Sequence, residues 1–183
     1  MRSMRSWRQG SMVLAAVFLL PCCVFFVGAP SGNAQTVLPA DVPAVTRYAD
    51  APLALVKERA RDGEDAAELE LGLRYVLGSD GVRNVPAGVK WIGMAAKKGM
   101  PQAEHEFGSL YLMGVGVPQS DALAVQWFRK AAIQGYAPSQ TAMGFAYENG
   151  AGVPRNPEKA AYWFDKAASQ GNGIAEESVE GGM

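Results

Sequence analysis

Few residues in this chain of 183 could supply chemistry by themselves. His105 is the single histidine, and the two cysteines, Cys22 and Cys23, are adjacent and close to the N-terminus. One histidine cannot form a histidine-rich metal cluster. A histidine-dependent catalytic triad could form only around His105, because no other histidine is present to act as the base. If residues 1–34 are removed, no thiol remains to form a disulfide or to bind a metal. The sequence therefore predicts no metal site and no cofactor.

Acidic pairs and a glycine-rich stretch are the remaining candidates for catalysis or phosphate binding. Glu104 and Glu106 are two positions apart, so on a helix they do not face each other, and we expect solvated side chains rather than an acid–base pair. Gly114 and Gly116 belong to a Gly-Val-Gly-Val stretch, but a phosphate-binding loop needs a preceding strand. No serine lies in a nucleophile-elbow or Ser-x-x-Lys motif. These features predict a protein that is not an enzyme.

The first charged residues of the chain are basic. The whole sequence has 17 Lys+Arg and 18 Asp+Glu, which gives a net charge of −1 at pH 7. Arg2, Arg5 and Arg8 precede every acidic residue, so the chain that follows them is more acidic than the total indicates. A nucleic-acid-binding protein would be basic or would carry a basic stripe. We therefore expect no nucleic-acid partner.

Residues 1–34 have the pattern of a secretory signal peptide. Three arginines precede an apolar stretch, and small residues then permit cleavage after Ala34. The apolar stretch is near the lower length limit for a membrane-spanning helix and is interrupted by Pro21. An uncleaved anchor and a lipoprotein acylated at Cys22 or Cys23 are the alternatives. We expect a periplasmic or secreted protein, which would contact a membrane only if this leader were retained or lipidated.

A repeat with a period of 36 residues organises the rest of the chain. Glycine, tyrosine and tryptophan recur at this spacing in several independent registers. The recurring residues are Gly72, Gly108 and Gly144; Tyr75, Tyr111 and Tyr147; Gly78, Gly114 and Gly150; Trp91, Trp127 and Trp163; and Gly99, Gly135 and Gly171. They define three units, residues 65–100, 101–136 and 137–172.

Each unit has the pattern of two helices joined by a short loop. In the second unit, apolar residues recur at helical spacing on both sides of Gly114, which suits a left-handed C-cap. Ser120 is a suitable N-cap for the helix that follows, and in the third unit Asn156 takes this place, followed by Pro157. A glycine recurs within each first helix, where it is unfavourable and indicates close approach of a neighbouring backbone. We expect the recurring tryptophans to be core residues.

The ends of the array have the pattern of incomplete units. Residues 35–50, with scattered prolines, are predicted to be a flexible linker. Residues 51–64 are predicted to form an N-terminal capping helix, because an array of stacked repeats needs caps at its ends. Residues 173–183 begin a further helix and stop at two glycines, so we expect a partial helix and a tail.

The repeat resembles the Sel1-like repeat family, which is related to the tetratricopeptide repeat. The resemblance rests on glycine, aromatic and alanine positions of the family pattern. In the second unit these are Ala103, Phe107, Gly108, Tyr111, Gly114, Gly116, Val117, Trp127, Phe128, Lys130, Ala131, Ala132 and Gly135. The resemblance implies an all-α fold: a right-handed α/α solenoid of three 36-residue helix-turn-helix repeats with partial capping helices at both ends. It also implies a scaffold for protein interaction.

By analogy with tetratricopeptide repeats, the first helix of each unit would line a concave groove. A groove with apolar residues at one end suits a helix or peptide with a hydrophobic anchor. The residues mapped onto it are Leu69, Leu73, Val76, His105, Ser109, Leu112, Thr141, Phe145 and Glu148. The leucines of the first unit have a second reading, as residues that pack against the N-terminal cap. His105 is either a groove residue that responds to pH or a histidine packed between helices.

Together these features predict an exported, non-catalytic scaffold that binds a protein or peptide segment through its first helices. A periplasmic regulator of an envelope signalling or assembly protein is one form of this function. A cell-wall-associated structural factor and a secreted host-interaction factor are the alternatives. Some cysteine-rich members of the family are described as β-lactamase-like, but the repeats of this chain contain no cysteine, which makes an enzyme the weakest alternative.

Overall fold

The computed structural model describes residues 48–171, and this part of the chain forms helices and no strand. The helices are α1 (Leu53–Arg61), α2 (Asp65–Leu77), α3 (Val85–Lys97), α4 (Pro101–Met113), α5 (Asp121–Ile133), α6 (Ala137–Asn149) and α7 (Pro157–Ala168). Each packs against the next along the chain. The predicted all-α solenoid of three repeats is confirmed. The predicted signal peptide, nearly all of the linker and the C-terminal partial helix lie outside the described residues.

Glycine and polar caps fix where the helices of each repeat end and begin. The first helices end at glycines with φ values of 78°, 68° and 72°, which are Gly78, Gly114 and Gly150. The second helices begin after residues whose side chains accept a backbone hydrogen bond, which are Asn84, Ser120 and Asn156. The caps predicted at Gly114, Ser120 and Asn156 are therefore confirmed. None of the helices in residues 48–171 is long and apolar enough to cross a membrane.

The two helices of a repeat approach closely at the glycine within the first helix. This glycine faces a large apolar side chain of the second helix in the pairs Gly72–Ile92, Gly108–Phe128 and Gly144–Phe164. A Cβ atom added at Gly108 would lie 2.8 Å from Cε1 of Phe128 and 3.1 Å from the carbonyl oxygen of Ala124. A larger side chain would therefore force the helices apart. The predicted close approach is confirmed, and it involves a side chain as well as backbone.

The buried large apolar residue of a second helix is the one that follows the tryptophan, and it is Ile92, Phe128 or Phe164. The half-buried tryptophans, which lie at the edges of the core clusters, are Trp91, Trp127 and Trp163. Phe128, by contrast, is buried. The Trp127 ring packs edge-to-face on Phe107, with ring centres 5.1 Å apart, and Lys130 Nζ lies 3.8 Å from its ring centre. The expectation that the tryptophans are core residues is thus corrected, because they cover the core from its edge.

A buried polar residue in each first helix bonds to the end of the second helix of the same repeat. The pairs are Lys98 Nζ to Glu68 (2.8 Å), Gln134 Nε2 to Glu104 (2.7 Å) and Gln170 Nε2 to Gln140 (2.8 Å). Burying a polar group costs free energy unless it is hydrogen-bonded, and all three first-helix residues are buried. The expectation that Glu104 is solvated is therefore wrong.

Arg74 fastens the segment before α1 to the first repeat. Its guanidinium donates hydrogen bonds to the backbone carbonyls of Tyr48 (2.7 Å), Ala49 (2.8 Å) and Ala51 (2.8 Å). The Tyr48 side chain is buried, and its hydroxyl donates to Glu64 Oε2 at 2.6 Å. These bonds hold the chain that leads into α1, and α1 in turn packs on α2.

We expect Phe128→Ala to lower the free energy of unfolding more than Trp127→Ala. Loss of a buried phenylalanine typically costs about 3–5 kcal/mol, because burial is lost and a cavity remains. Trp127 is half-buried, so its truncation should cost less, roughly 1–3 kcal/mol, despite the larger ring. Denaturant unfolding followed by circular dichroism measures both losses. An equal or larger loss for Trp127→Ala would contradict this packing.

Candidate functional site

An open cleft lies between the first helices of repeats two and three. It is lined by α4, α5, α6 and the start of the loop after α6, through Leu112, Asp121, Ala124, Val125, Phe128, Ala142, Phe145, Ala146, Asn149 and Ala151. Its volume is ≈ 240 Å³, and the lining is apolar apart from Asp121 and Asn149. Leu112 and Phe145 are 42% and 39% exposed, so both side chains can contact a bound molecule. We refer to this site as the inter-repeat cleft.

Two residues that the sequence places in the groove are buried. Leu69 is 2% exposed and packs in the N-terminal core cluster, and Thr141 is 6% exposed. The Thr141 hydroxyl donates to the carbonyl of Ala137 at 3.2 Å. Both residues are therefore corrected from binding to packing. Leu73 and Val76 are half-buried against the same N-terminal cluster, which favours the packing interpretation for the first repeat.

The polar residues predicted in the groove do not line the inter-repeat cleft. The Ser109 hydroxyl donates to the carbonyl of His105 at 3.1 Å, so it is occupied within α4. Glu148 is exposed and lines a second open pocket with Arg155 and Phe164, outside the inter-repeat cleft. Of the predicted groove residues, Leu112 and Phe145 together line the inter-repeat cleft, and the others lie outside it.

His105 links repeats two and three from within. Its Nδ1 atom lies 2.8 Å from Ser139 Oγ, and its ring packs against Phe128 and Tyr136 with ring centres 5.2 and 5.4 Å away. Burial lowers the pKa of His105 to about 4, so the ring is neutral near pH 7. Of the two readings from the sequence, helix packing fits this environment, and a response to pH near neutrality does not.

The two carboxyl groups of α4 have different surroundings. Burial raises the pKa of Glu104, although the nearby Lys130 and the hydrogen bond from Gln134 oppose this rise. Burial also raises the pKa of Glu106. The pKa of the Tyr136 hydroxyl is raised as well, first by burial and then by the nearby negative charge of Glu106. Glu104 is thus compensated by polar neighbours, whereas burial alone acts on Glu106. Within residues 48–171, no group of histidine, cysteine and acidic side chains is placed to hold a metal ion.

Comparison with known proteins identifies the family. The family model of the Sel1 repeat matches residues 65–100, 101–136 and 137–172. The chain belongs to the Sel1 repeat family. Proteins with Sel1 repeats generally bind protein partners and are generally non-catalytic scaffolds. The first and second helices of each matched repeat are the hairpins α2–α3, α4–α5 and α6–α7.

Solved structures of other repeat proteins are similar to this Sel1 repeat chain. A Sel1 repeat protein from Oxalobacter formigenes is 72% identical, with a TM-score of 0.66 over 67% of this chain and 94% of that one. A protective antigen present in uropathogenic Escherichia coli strains, displaying an SLR fold, is 34% identical, with a TM-score of 0.52 over 68% of this chain and 34% of that one. Cysteine rich protein B of Helicobacter pylori, 21% identical with a TM-score of 0.57 over 67% and 91%, shares the fold alone. No curated protein matches the chain.

Sequence reasoning missed the part of the cleft that comes from the second helix. It assigned the groove of the Sel1 repeats to first helices, whereas Asp121, Ala124, Val125 and Phe128 of α5 also line the cleft. A signal was present in the small residues Ala142 and Ala146, which leave space beside the exposed Phe145. Small residues next to a large exposed one on the same helix face favour an opening between helices.

We expect His105→Gln to reduce the loss of stability between about pH 7 and about pH 5. Unfolded chains protonate histidine below about pH 6.5, whereas folded His105 resists protonation down to a pKa of about 4. The unfolded state therefore binds more protons in this interval, and the free energy of unfolding falls as the pH falls. The raised pKa values of Glu104 and Glu106 act in the opposite direction.

Denaturant unfolding of the wild type and the variant at the two pH values measures this difference. Because the glutamates are present in both proteins, they cancel in the comparison. The wild type should lose more stability on acidification than His105→Gln. An equal loss in the two proteins would contradict a half-buried, neutral His105.

Proposed function

We propose that this Sel1 repeat protein is an exported, non-catalytic module that binds a segment of a partner protein in the inter-repeat cleft. The observation that supports this function is the pair Leu112 and Phe145, exposed on neighbouring first helices beside the buried Phe128. Concave apolar sites with a few polar groups are where proteins typically bind ligands. The family supplies the class of partner, since Sel1 repeat proteins generally bind proteins.

The size of the cleft favours an anchoring side chain over a separate small molecule. Pockets for drug-sized ligands typically have volumes of about 300–1,000 Å³, whereas this cleft measures ≈ 240 Å³ and is open to solvent. A helix or extended segment can place one large apolar residue in such a cleft and lie across the neighbouring helices. With one anchor, an affinity of roughly micromolar order is expected.

The N-terminal sequence supports the export part of the proposal. Arginines precede an apolar stretch, and the small residue Ala34 suits cleavage by a signal peptidase. The chain after Ala34 has no cysteine, so its folding does not depend on the redox state of the compartment. In the periplasm or outside the cell, the cleft would meet envelope or secreted proteins.

A capture experiment tests the cleft. The protein is immobilised and exposed to an envelope extract of its own cells, beside the variant Leu112→Glu, Phe145→Glu. Ile133→Glu is the control, because Ile133 is 71% exposed on α5 and does not line the cleft. We expect the wild type and the control to retain a protein that the cleft variant does not retain. In the cleft variant, binding would bury the two new carboxylates without partners.

Circular dichroism of the wild type and of both variants before immobilisation establishes that they are folded. Equal retention by the cleft variant would show that binding lies elsewhere on the molecule. Retention of isolated cell-wall sacculi in place of a protein would favour the structural alternative.

The mass of the protein recovered from cells tests export. Cleavage after Ala34 predicts a chain that begins at Gln35, found outside the cytoplasm. Ala34→Arg should prevent this cleavage, because signal peptidases need a small residue at that position. A full-length mass for the wild type would favour the retained anchor, and an added lipid on Cys22 or Cys23 would favour the lipoprotein.

A further inference from the structure

Gly171 makes the turn that precedes a first helix elsewhere in the chain. Its φ is 75°, and its backbone N–H donates to the carbonyl of Ala168 at 2.8 Å. The same turn, with φ values of 84°, 88° and 93° and a bond of 3.1 Å to the carbonyl three residues earlier, occurs at Gly63, Gly99 and Gly135. A first helix begins two residues after each of these glycines. The backbone at Gly171 therefore directs the residues from Gly173 onward to the side of α7 where a further first helix would pack.

One face of α7 is apolar and lacks the cover that its counterpart on α5 has. We refer to it as the end face, and its residues are Pro157, Ala161, Phe164 and Ala168. On α5, the counterparts Val125 and Ala132 are 4% and 2% exposed, and they pack in one core cluster with Met143 of α6. Ala161 is instead exposed and Ala168 is half-buried, and no helix follows α7 within residues 48–171. The end face thus has the surface on which a helix packs at the junction before it.

Residues 173–180 have apolar side chains at the positions where a first helix contacts the preceding repeat. The third and seventh residues of the described first helices are at most 8% exposed, and they are Ala67, Ala103 and Ser139, and Leu71, Phe107 and Met143. A Cβ atom added at Gly93 of α3 would lie 3.2 Å from the Phe107 ring, so the seventh residue contacts the preceding second helix. Counted from Gly173, the same two positions are Ala175 and Val179.

The opposite side of residues 173–180 differs from that of a complete repeat. The eighth residue of each described first helix is the glycine that the second helix of the same repeat approaches, as Phe128 approaches Gly108. In residues 173–180 this position is Glu180, and Glu176 lies one turn earlier on the same side. A glutamate at this position would hold a second helix away, because a Cβ atom alone would clash there. The segment is therefore apolar on one side and charged on the other, as the outer helix of a repeat array needs to be.

We propose that residues 173–180 form a further helix that packs on the end face of α7, in the way that α6 packs on α5. Ala175 and Val179 lie against the end face, and Glu176 and Glu180 face solvent. A helix of this length is marginal by itself, so burial of its apolar side against α7 supplies its stability. The helix also keeps a second copy of the chain from stacking on the end face. This inference is independent of the inter-repeat cleft.

Hydrogen exchange of the full-length protein tests whether the helix forms. The first four N–H groups of a helix have no partner within it, so the informative amides are those of residues 177–180. We expect them to exchange at least about tenfold more slowly than in a free peptide of the same sequence. Exchange at the rate of the free peptide would overturn the proposal.

Thiol reactivity tests where the helix packs. Ala168→Cys places a thiol on the end face, Ala132→Cys places one at the covered position of α5, and Ala122→Cys places one at an exposed position of α5. Reaction with a soluble maleimide is followed by mass spectrometry of the peptide that contains each new thiol, which separates it from Cys22 and Cys23. Each variant is measured alone, with Val179→Asp, and with Glu180→Ala as the matched control.

We expect Val179→Asp to raise the reaction rate of Ala168→Cys at least about fivefold, because a carboxylate cannot be buried against the apolar end face. Glu180→Ala, on the solvent side, should leave this rate unchanged. Ala132→Cys should remain slow and Ala122→Cys fast in every background.

Two further results would overturn the proposal. One is a rate for Ala168→Cys that Val179→Asp leaves unchanged, or raises no more than it raises the rate of Ala132→Cys. The other is protection of Ala168→Cys that increases with protein concentration, because it would place a second copy of the chain on the end face instead of residues 173–180.

Discussion

The stacking of this protein depends on the fit between a glycine of each first helix and a large side chain of the second. Gly108 and Phe128 show the constraint, because no Cβ atom can be added at the glycine without a clash. The contact fixes both the distance between the two helices and the side of the second helix that faces inward. Since it recurs in every repeat, the hairpins have similar shapes, and their first helices come side by side along one face.

Hydrogen bonds inside the repeats add specificity to this apolar packing. Glu104 is buried and accepts from Gln134, and the equivalent positions in the other repeats form the same kind of bond. Such a bond forms only when the end of the second helix lies at the correct position along the first. His105 extends the principle between repeats, because its bond to Ser139 requires α4 and α6 to lie in register. Polar groups that must be satisfied therefore restrict sliding that apolar contacts alone would allow.

The repeat period and the helix caps depend on local residue chemistry and can be predicted from the sequence. The burial of individual side chains depends on how each helix is rotated about its axis, and that rotation cannot be predicted from the sequence. The 36-residue period and the caps at Gly114, Ser120 and Asn156 follow from residue types at fixed spacing. Successive residues of an α-helix, however, point about 100° apart, so a small rotation exchanges an inward position for one at the edge. This is why Phe128 is buried and Trp127 is not, and why Leu69 and Thr141 pack inside although neighbouring positions on the same faces are open.

Differences between equivalent positions explain why the cleft lies between repeats two and three. One repeat earlier, Leu112, Ala142 and Phe145 correspond to Val76, Glu106 and Ser109. The repeat dictates similar backbones at both junctions, but Val76 is withdrawn against the N-terminal cluster and Glu106 takes the place of a small alanine. Ala142 and Ala146 of α6 leave space that Leu112 and Phe145 border without filling. The cleft thus arises where the side chains depart from the repeat, while the residues that define the repeat hold its walls in place.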